Sequence, residues 1–140
     1  MGIVSKKILD SIICTLCEKV CTNLWKNTAS VIEWFGSIEQ KEKHMFIVFD
    51  IVSFYPSITE DLLRKALEFA QQYVQVKQSD ADIIMNARKS LLFNEDQPWM
   101  KKEKDGAFDV TMGSYDGAEV CEIVGAFILS KLEPILGRGM

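Results

Sequence analysis

The chain has 140 residues, of which 48% are hydrophobic and 26% are charged, and its 16 basic and 20 acidic side chains give a formal net charge of −4. This composition excludes an intrinsically disordered or collagen-like chain and suits one globular domain of modest size. The lack of a basic excess argues against a stand-alone nucleic-acid-binding module, which normally carries a basic stripe.

The sequence shows neither a membrane span nor a secretion signal. No uncharged apolar stretch reaches about 18 residues, the length typical of a transmembrane helix. Lys6, Lys7 and Asp10 fall where a signal peptide requires its apolar core. We therefore expect an intracellular protein, cytoplasmic or nuclear, that has no contact with a membrane.

The first predicted helix carries three of the four cysteines. Ser5 can cap this helix, and apolar residues recur at helical intervals as far as Leu24. Cys14, Cys17 and Cys21 share one helix face in a spacing that resembles a metal-binding motif, but no fourth ligand lies near them. Because cysteine behaves as a small apolar residue in such a stripe, a structural role is favoured, with metal and redox roles as the alternatives.

A short second helix follows, for which Asn27 or Thr28 can serve as the cap. The aromatic residues in and beside it, Trp25, Trp34 and Phe35, are expected to pack in a core. The charged run EQKEKH ends this pattern.

The run FIVFDIVSF, at residues 46–54, is rich in β-branched and aromatic residues and predicts a strand buried on both faces. Asp50 is the single charge in this run. Because a buried carboxylate is costly unless it is paired or binds a cation, Asp50 is a candidate metal ligand. The alternative is an aspartate that caps a turn or pairs with a lysine, and the strand alone does not decide between the two.

Two amphipathic helices are predicted next. Ser57 and Glu60 form a capping box for the first of them, and Ser79 with Asp82 can cap the second, which carries apolar residues as far as Leu92. The apolar side of the first helix would consist of Leu62, Leu63, Ala66, Phe69, Ala70 and Tyr73.

The last part of the chain predicts a β-hairpin over residues 98–112, with Asp105 and Gly106 at its turn. A glycine-containing loop then leads into a final helix that ends near Pro134. This order of elements predicts an α+β fold in which helices pack on a small antiparallel sheet.

The string FIVFDIVSFYPSI resembles the first palm motif of template-directed polymerases, especially reverse transcriptases: an apolar strand, an aspartate, and an aromatic residue five positions later. Here that pair is Asp50 and Tyr55. The resemblance implies that Asp50 is the catalytic ligand of both Mg²⁺ ions and that Tyr55 lies under the incoming sugar, where it rejects a 2′-hydroxyl. It also implies that the backbone amides near Phe54 and Tyr55 hold the triphosphate.

A second string, FDVTMGSYDGAEVCEIVGAFILSKLE, resembles the later reverse-transcriptase motif, in which a glycine-containing loop leads into a helix beneath the template and the nucleotide. Gly113 and Gly117 match that loop and would bind the nucleotide, since glycine lets the backbone pass close to a base pair. The commoner pattern has Pro-Gln before the second glycine and Ser-Pro after it. This chain has Tyr-Asp and Ala-Glu there, which implies a divergent retroelement.

The resemblance divides the single partial domain into fingers-side helices, residues 1–45, and part of a palm, residues 46–140. Two-metal phosphoryl transfer needs two or three converging carboxylates, yet no Tyr-x-Asp-Asp-like hairpin follows the glycine loop in these residues. The nearby acids Asp116, Glu119 and Glu122 are expected to face solvent.

The expected function is thus a fragment of a retrotransposon RNA-directed DNA polymerase that is inactive alone. The complete enzyme would use Mg²⁺, a template–primer and deoxynucleotides. An exposed palm edge is expected to promote self-association. The alternatives are a non-enzymatic interaction or nucleic-acid-binding module, and a fragment of a B-family DNA polymerase, which shares much of the first string but not the glycine loop.

Overall fold

The computed structural model describes residues 1–20, 25, 27–48, 50–89, 92–99 and 107–136. Within these ranges the chain is mostly helical and contains one two-stranded hairpin. The elements are α1 (Gly2–Val20), α2 (Thr28–Ser37), a 3₁₀ turn (Lys41–Lys43), α3 (Phe54–Ser57), α4 (Glu60–Gln71), α5 (Gln78–Ala87), β1 (Leu92–Asn94), β2 (Gln97–Trp99) and α6 (Gly117–Leu136). None of the described helices combines the length and the apolarity needed to cross a membrane.

The core lies where four helices meet. Helix α1 packs on α5 and α6, α4 packs on α6 and α5, and the short α3 contacts α6. Each helix buries one face because its apolar residues recur three and four positions apart. The largest fully buried apolar side chains are Leu9, Leu16, Ile58, Leu63, Ile84, Val120, Ile123 and Val124.

The predicted apolar side of α4 is confirmed. Leu63, Ala66, Phe69 and Ala70 are buried in the core. Leu62 and Tyr73, at the margins of that face, are partly buried and pack against it.

The predicted packing of helices on a sheet is not supported, because the described helices pack on one another. The hairpin was predicted over residues 98–112, but β2 pairs with the strand before it in the chain, β1. The antiparallel register places Leu92 opposite Trp99 and Asn94 opposite Gln97. The turn residues Glu95 and Asp96 have φ angles of 48° and 60°, the left-handed conformation that a two-residue hairpin requires. The turn predicted at residues 105–106 lies outside the described residues.

Several helix ends differ from the prediction. Helix α1 begins at Gly2, so that Ser5 lies buried inside the helix instead of capping it. Helix α5 begins before Ser79 and ends at Ala87, because the chain then turns into the hairpin and does not continue as a helix to Leu92.

One predicted cap is confirmed and another is wrong. The Asn27 side chain accepts a hydrogen bond from the Ser30 amide at 2.9 Å at the start of α2. At the start of α4 the cap is Thr59, whose hydroxyl accepts from the Leu62 amide at 3.1 Å. Ser57 belongs to the preceding turn of helix, where its hydroxyl donates to the Phe54 carbonyl at 2.7 Å.

This difference yields a stability prediction. Thr59→Ala is expected to lower the free energy of unfolding by about 1 kcal/mol, because the Leu62 amide loses its partner. Ser57→Ala, the matched control, is expected to cost less than about 0.5 kcal/mol, since its hydroxyl caps no helix. Urea denaturation followed by circular dichroism measures both, and an equal loss in the two variants would contradict the assignment of the cap.

The strand predicted over residues 46–54 does not form among the described residues 46–48 and 50–54. These residues have no regular structure before α3, and Val48 and Val52 are 91% and 83% exposed. Asp50 is exposed as well, not buried. The physical reason is that a strand needs a neighbour for its backbone groups, and in the described part of the chain β1 and β2 pair with each other and not with this segment.

The cysteine and aromatic predictions hold only in part. Cys17 packs against the core, whereas Cys14 is exposed and Cys21 lies outside the described residues. Trp25 and Phe35 are 46% and 44% exposed, so they do not form the predicted core.

Candidate functional site

The two polymerase-like strings meet at the start of α6. A methyl group added at Gly117 would lie 3.5 Å from Cε1 of Tyr55. The Tyr55 hydroxyl also lies near the thiol of Cys121, one turn further along α6, and each group affects the pKa of the other. The predicted site residues Tyr55 and Gly117 are therefore neighbours in space, and Phe54 packs against the adjoining core.

Tyr55 and Cys121 are both uncharged near neutral pH. Burial is the largest cause that raises the pKa of the Tyr55 phenol, and the neighbouring Cys121 raises it further. Burial also raises the pKa of the Cys121 thiol, while the hydrogen bond from Tyr55 acts in the opposite direction. Tyr55 therefore offers a ring surface and a hydrogen-bond donor at this site, and Cys121 is not a thiolate nucleophile.

The loop before α6 consists of two consecutive tight turns. The Ser114 amide donates to the Thr111 carbonyl at 3.1 Å, and the Gly117 amide donates to the Ser114 carbonyl at 3.2 Å. Gly113 has a φ of +84°, a conformation that favours glycine. At Gly117 space is the constraint, because a methyl group there would lie 2.7 Å from the Ser114 hydroxyl and 3.0 Å from the Thr111 carbonyl.

A buried arginine holds this loop in place. Arg88, just after α5, is 4% exposed, and its Nη1 donates to the Ser114 hydroxyl at 3.1 Å. Its Nη2 forms an ion pair with Oδ1 of Asp116, while its carbonyl accepts from the Asp109 amide at 2.9 Å. One guanidinium thus fixes both ends of the turn that Gly117 closes. Sequence reasoning missed Arg88, because no local pattern distinguishes it from a surface arginine at a helix end.

Two acids predicted to face solvent are buried. Asp116 is 0% exposed and Glu119 is 8% exposed, whereas Glu122 is exposed as predicted. The reason is tertiary: Arg88 pairs with Asp116, and Lys6 from α1 pairs with Glu119. Each of the two buried acids thus has a basic partner, which makes its burial tolerable.

This polar cluster also contains side-chain atoms that have no hydrogen-bond partner among the described residues. They are Ser5 Oγ, Arg88 Nε, Asp116 Oδ2 and Glu119 Oε2. Ser5 Oγ and Arg88 Nε each carry a hydrogen that they can donate, and the two carboxylate oxygens can each accept one. The cluster can therefore still donate and accept hydrogen bonds.

Asp50, the predicted metal ligand, is exposed in the irregular segment before α3. In the part of the chain that the structure describes, no three His, Cys, Asp or Glu side chains lie together as a metal site. Asp50 also has no ion pair or hydrogen bond with a described residue. The residues present therefore do not fit a complete two-magnesium centre, which needs at least two or three converging carboxylates.

A cleft of about 600 Å³ lies elsewhere, between α4 and α6. Its walls include Phe69, Tyr73, Phe127 and Lys131, and no residue of 50–55 or 111–117 lines it. The site at Tyr55 is therefore a surface formed by a ring and a loop rather than part of this cleft.

No protein-family model, curated protein or solved structure matches this chain. Any functional argument therefore depends on the motif residues and their geometry.

Proposed function

We propose that the chain is the fingers-and-palm part of an RNA-directed DNA polymerase of a mobile element. The observation that carries the proposal is the proximity of Tyr55 to Gly117, where an added methyl group would lie 3.5 Å from the ring. These residues come from two strings that each resemble a reverse-transcriptase motif, and in such enzymes both motifs face the same nucleotide. Their adjacency is what the resemblance requires.

In this proposal Tyr55 selects the sugar. A steric gate has to be stiff, because a ring that can move aside does not exclude a 2′-hydroxyl. Here the Tyr55 ring lies beside Gly117, and its hydroxyl lies near the thiol of Cys121, so that α6 restricts the movement of the ring. The backbone amides near Phe54 and Tyr55 would hold the triphosphate.

The glycine loop supplies the second contact. At Gly113 no atom lies within 4 Å of the missing side chain, so that a base pair can approach the backbone there, whereas Gly117 lets the loop itself close. Arg88 keeps the loop in one conformation through Ser114 and Asp116. In this proposal the chain positions the nucleotide and the template.

The proposal does not give this chain a complete catalytic centre. Asp50 would be the ligand that it contributes to the magnesium ions of the whole polymerase, and further carboxylates would have to join it. The template–primer, the deoxynucleotides and an intracellular location belong to the same proposal.

A second candidate is a non-enzymatic interaction module that keeps the polymerase sequence as a scaffold. The exposure of Asp50 and of the apolar residues around it favours this candidate, since both would be available to a partner. No observation favours a B-family DNA polymerase.

Nucleotide binding tests the polymerase proposal. With an RNA–DNA template–primer and Mg²⁺, added deoxynucleotide is expected to shift the backbone NMR signals of residues 54–57 and 111–117. Tyr55→Ala is expected to weaken deoxynucleotide binding and to abolish the preference for deoxynucleotide over ribonucleotide, because the ring that excludes the 2′-hydroxyl is gone.

The matched control is Phe35→Ala, which removes an exposed aromatic ring from α2 and should change neither property. Shifts confined to other parts of the chain, or an unchanged sugar preference in Tyr55→Ala, would contradict the proposal.

A further inference from the structure

The apolar residues that the structure describes between positions 45 and 52 form an exposed segment. Met45 is 85% exposed, Val48 is 91% exposed and Val52 is 83% exposed. Phe46 lies 5.4 Å from the Phe35 ring between centroids, so this surface continues onto α2, none of whose residues is buried. Contiguous apolar surface of this kind typically marks an interaction site.

The backbone of this segment is available for pairing. Residues 44–48 and 50–51 have no regular structure, and their described backbone groups form no hydrogen bond with another segment apart from the His44 amide. The β-branched and aromatic side chains favour a strand. The segment therefore has the sequence of a strand and lacks a neighbour, which is the condition for adding a strand from another chain.

The charges on the segment determine the direction of pairing. Lys43 lies just before the apolar run, Asp50 lies near its other end, and neither side chain has an ion pair among the described residues. Two copies in parallel register would place Asp50 beside Asp50 and Lys43 beside Lys43. Two antiparallel copies can instead place each Asp50 opposite Lys43 of the other copy, and opposite charges across strands are favourable.

We propose that two copies of this chain associate by antiparallel pairing of residues 43–50, with Asp50 of each copy opposite Lys43 of the other. By symmetry the register then places His44 opposite Phe49, Met45 opposite Val48 and Phe46 opposite Ile47, so that all the side chains between the ion pairs except His44 are apolar. The inference does not depend on the polymerase proposal. Dimerisation would nevertheless affect the polymerase proposal, because an Asp50 side chain paired with Lys43 is not free to hold a metal ion.

Charge exchange tests the pairing in the full chain. Sedimentation velocity over a wide concentration range is expected to show a monomer–dimer equilibrium for the unaltered chain. Asp50→Lys and Lys43→Asp are each expected to weaken dimerisation about tenfold, because two attractive pairs become repulsive. The double variant Lys43→Asp/Asp50→Lys is expected to restore the unaltered dissociation constant.

Two further variants complete the design. Glu18→Lys makes the same charge change at an exposed position of α1 and should leave dimerisation unchanged. Val48→Lys should abolish dimerisation, because it places a charge among the paired apolar residues. Circular dichroism checks that each variant is folded.

A monomer at every concentration, a dimer insensitive to Val48→Lys, or a double variant no better than the single ones would each overturn the inference. Nucleotide binding is measured separately, so a failure here and a failure of the polymerase proposal are distinguishable.

Discussion

Arg88→Ala is expected to lower the free energy of unfolding by about 3–5 kcal/mol, because it leaves the carboxylate of Asp116 buried and without its partner. Domains of this size have a total stability of about 5–15 kcal/mol, so the variant should be close to unfolding at room temperature. Urea denaturation measures the loss. The reason lies in desolvation: removing one member of a buried pair abolishes the attraction but leaves the cost of burying the other member.

Two controls separate this explanation from a general intolerance of change at the site. Arg64→Ala removes an arginine from the exposed pair with Glu60 and should cost no more than about 0.5 kcal/mol. The double variant Arg88→Met/Asp116→Leu removes both charges and should be much more stable than Arg88→Ala, since an apolar pair needs no compensation. A loss below about 1 kcal/mol in Arg88→Ala would show that the ion pair does not hold the loop.

Gly117→Ala is expected to destabilise the chain by about 1–3 kcal/mol. The added methyl group would lie 2.7 Å from the Ser114 hydroxyl and 3.0 Å from the Thr111 carbonyl, so the turn has to open. Because Tyr55 lies against the same point, its ring should also shift. Denaturation and the NMR signals of the Tyr55 ring report the two effects.

Gly125→Ala is the matched control within the same helix. No atom lies within 4 Å of a methyl group added at Gly125, so this variant should gain up to about 1 kcal/mol from the better helix propensity of alanine. Ser114→Ala alone removes the acceptor of Arg88 Nη1 and has its own cost, but the double variant Ser114→Ala/Gly117→Ala should lose less than the sum of the two single variants, since it also removes the nearer of the two contacts. Equal effects of Gly117→Ala and Gly125→Ala would show that the close approach at Gly117 has no energetic importance.

Local signals in the sequence predicted several features correctly. The apolar face of α4 is visible because every residue on that face repeats at the helical period, whatever lies opposite. The Asn27 cap can likewise be predicted from the sequence, since the donor of its hydrogen bond is only three residues away. The two polymerase-like strings supplied Tyr55 and Gly117 as candidate residues, although nothing in either string states that they touch.

Features that depend on distant partners were predicted wrongly or missed. Asp116 and Glu119 were predicted to face solvent because their partners, Arg88 and Lys6, are far away in the sequence. Residues 46–54 were predicted to form a buried strand because they are rich in β-branched and aromatic residues. A strand also needs a neighbouring strand, and composition does not show whether one is present.

The sequence by itself determined that the longer helices form and which face of α4 is apolar, because those properties depend on residues within one or two turns of each other. Only the tertiary structure decided that Arg88 fixes the glycine loop, that Tyr55 lies against Gly117, and that Asp50 is exposed. The physical reason is that burial and pairing are relations between segments, and the free energy of a charge or a strand depends on what the rest of the chain places beside it.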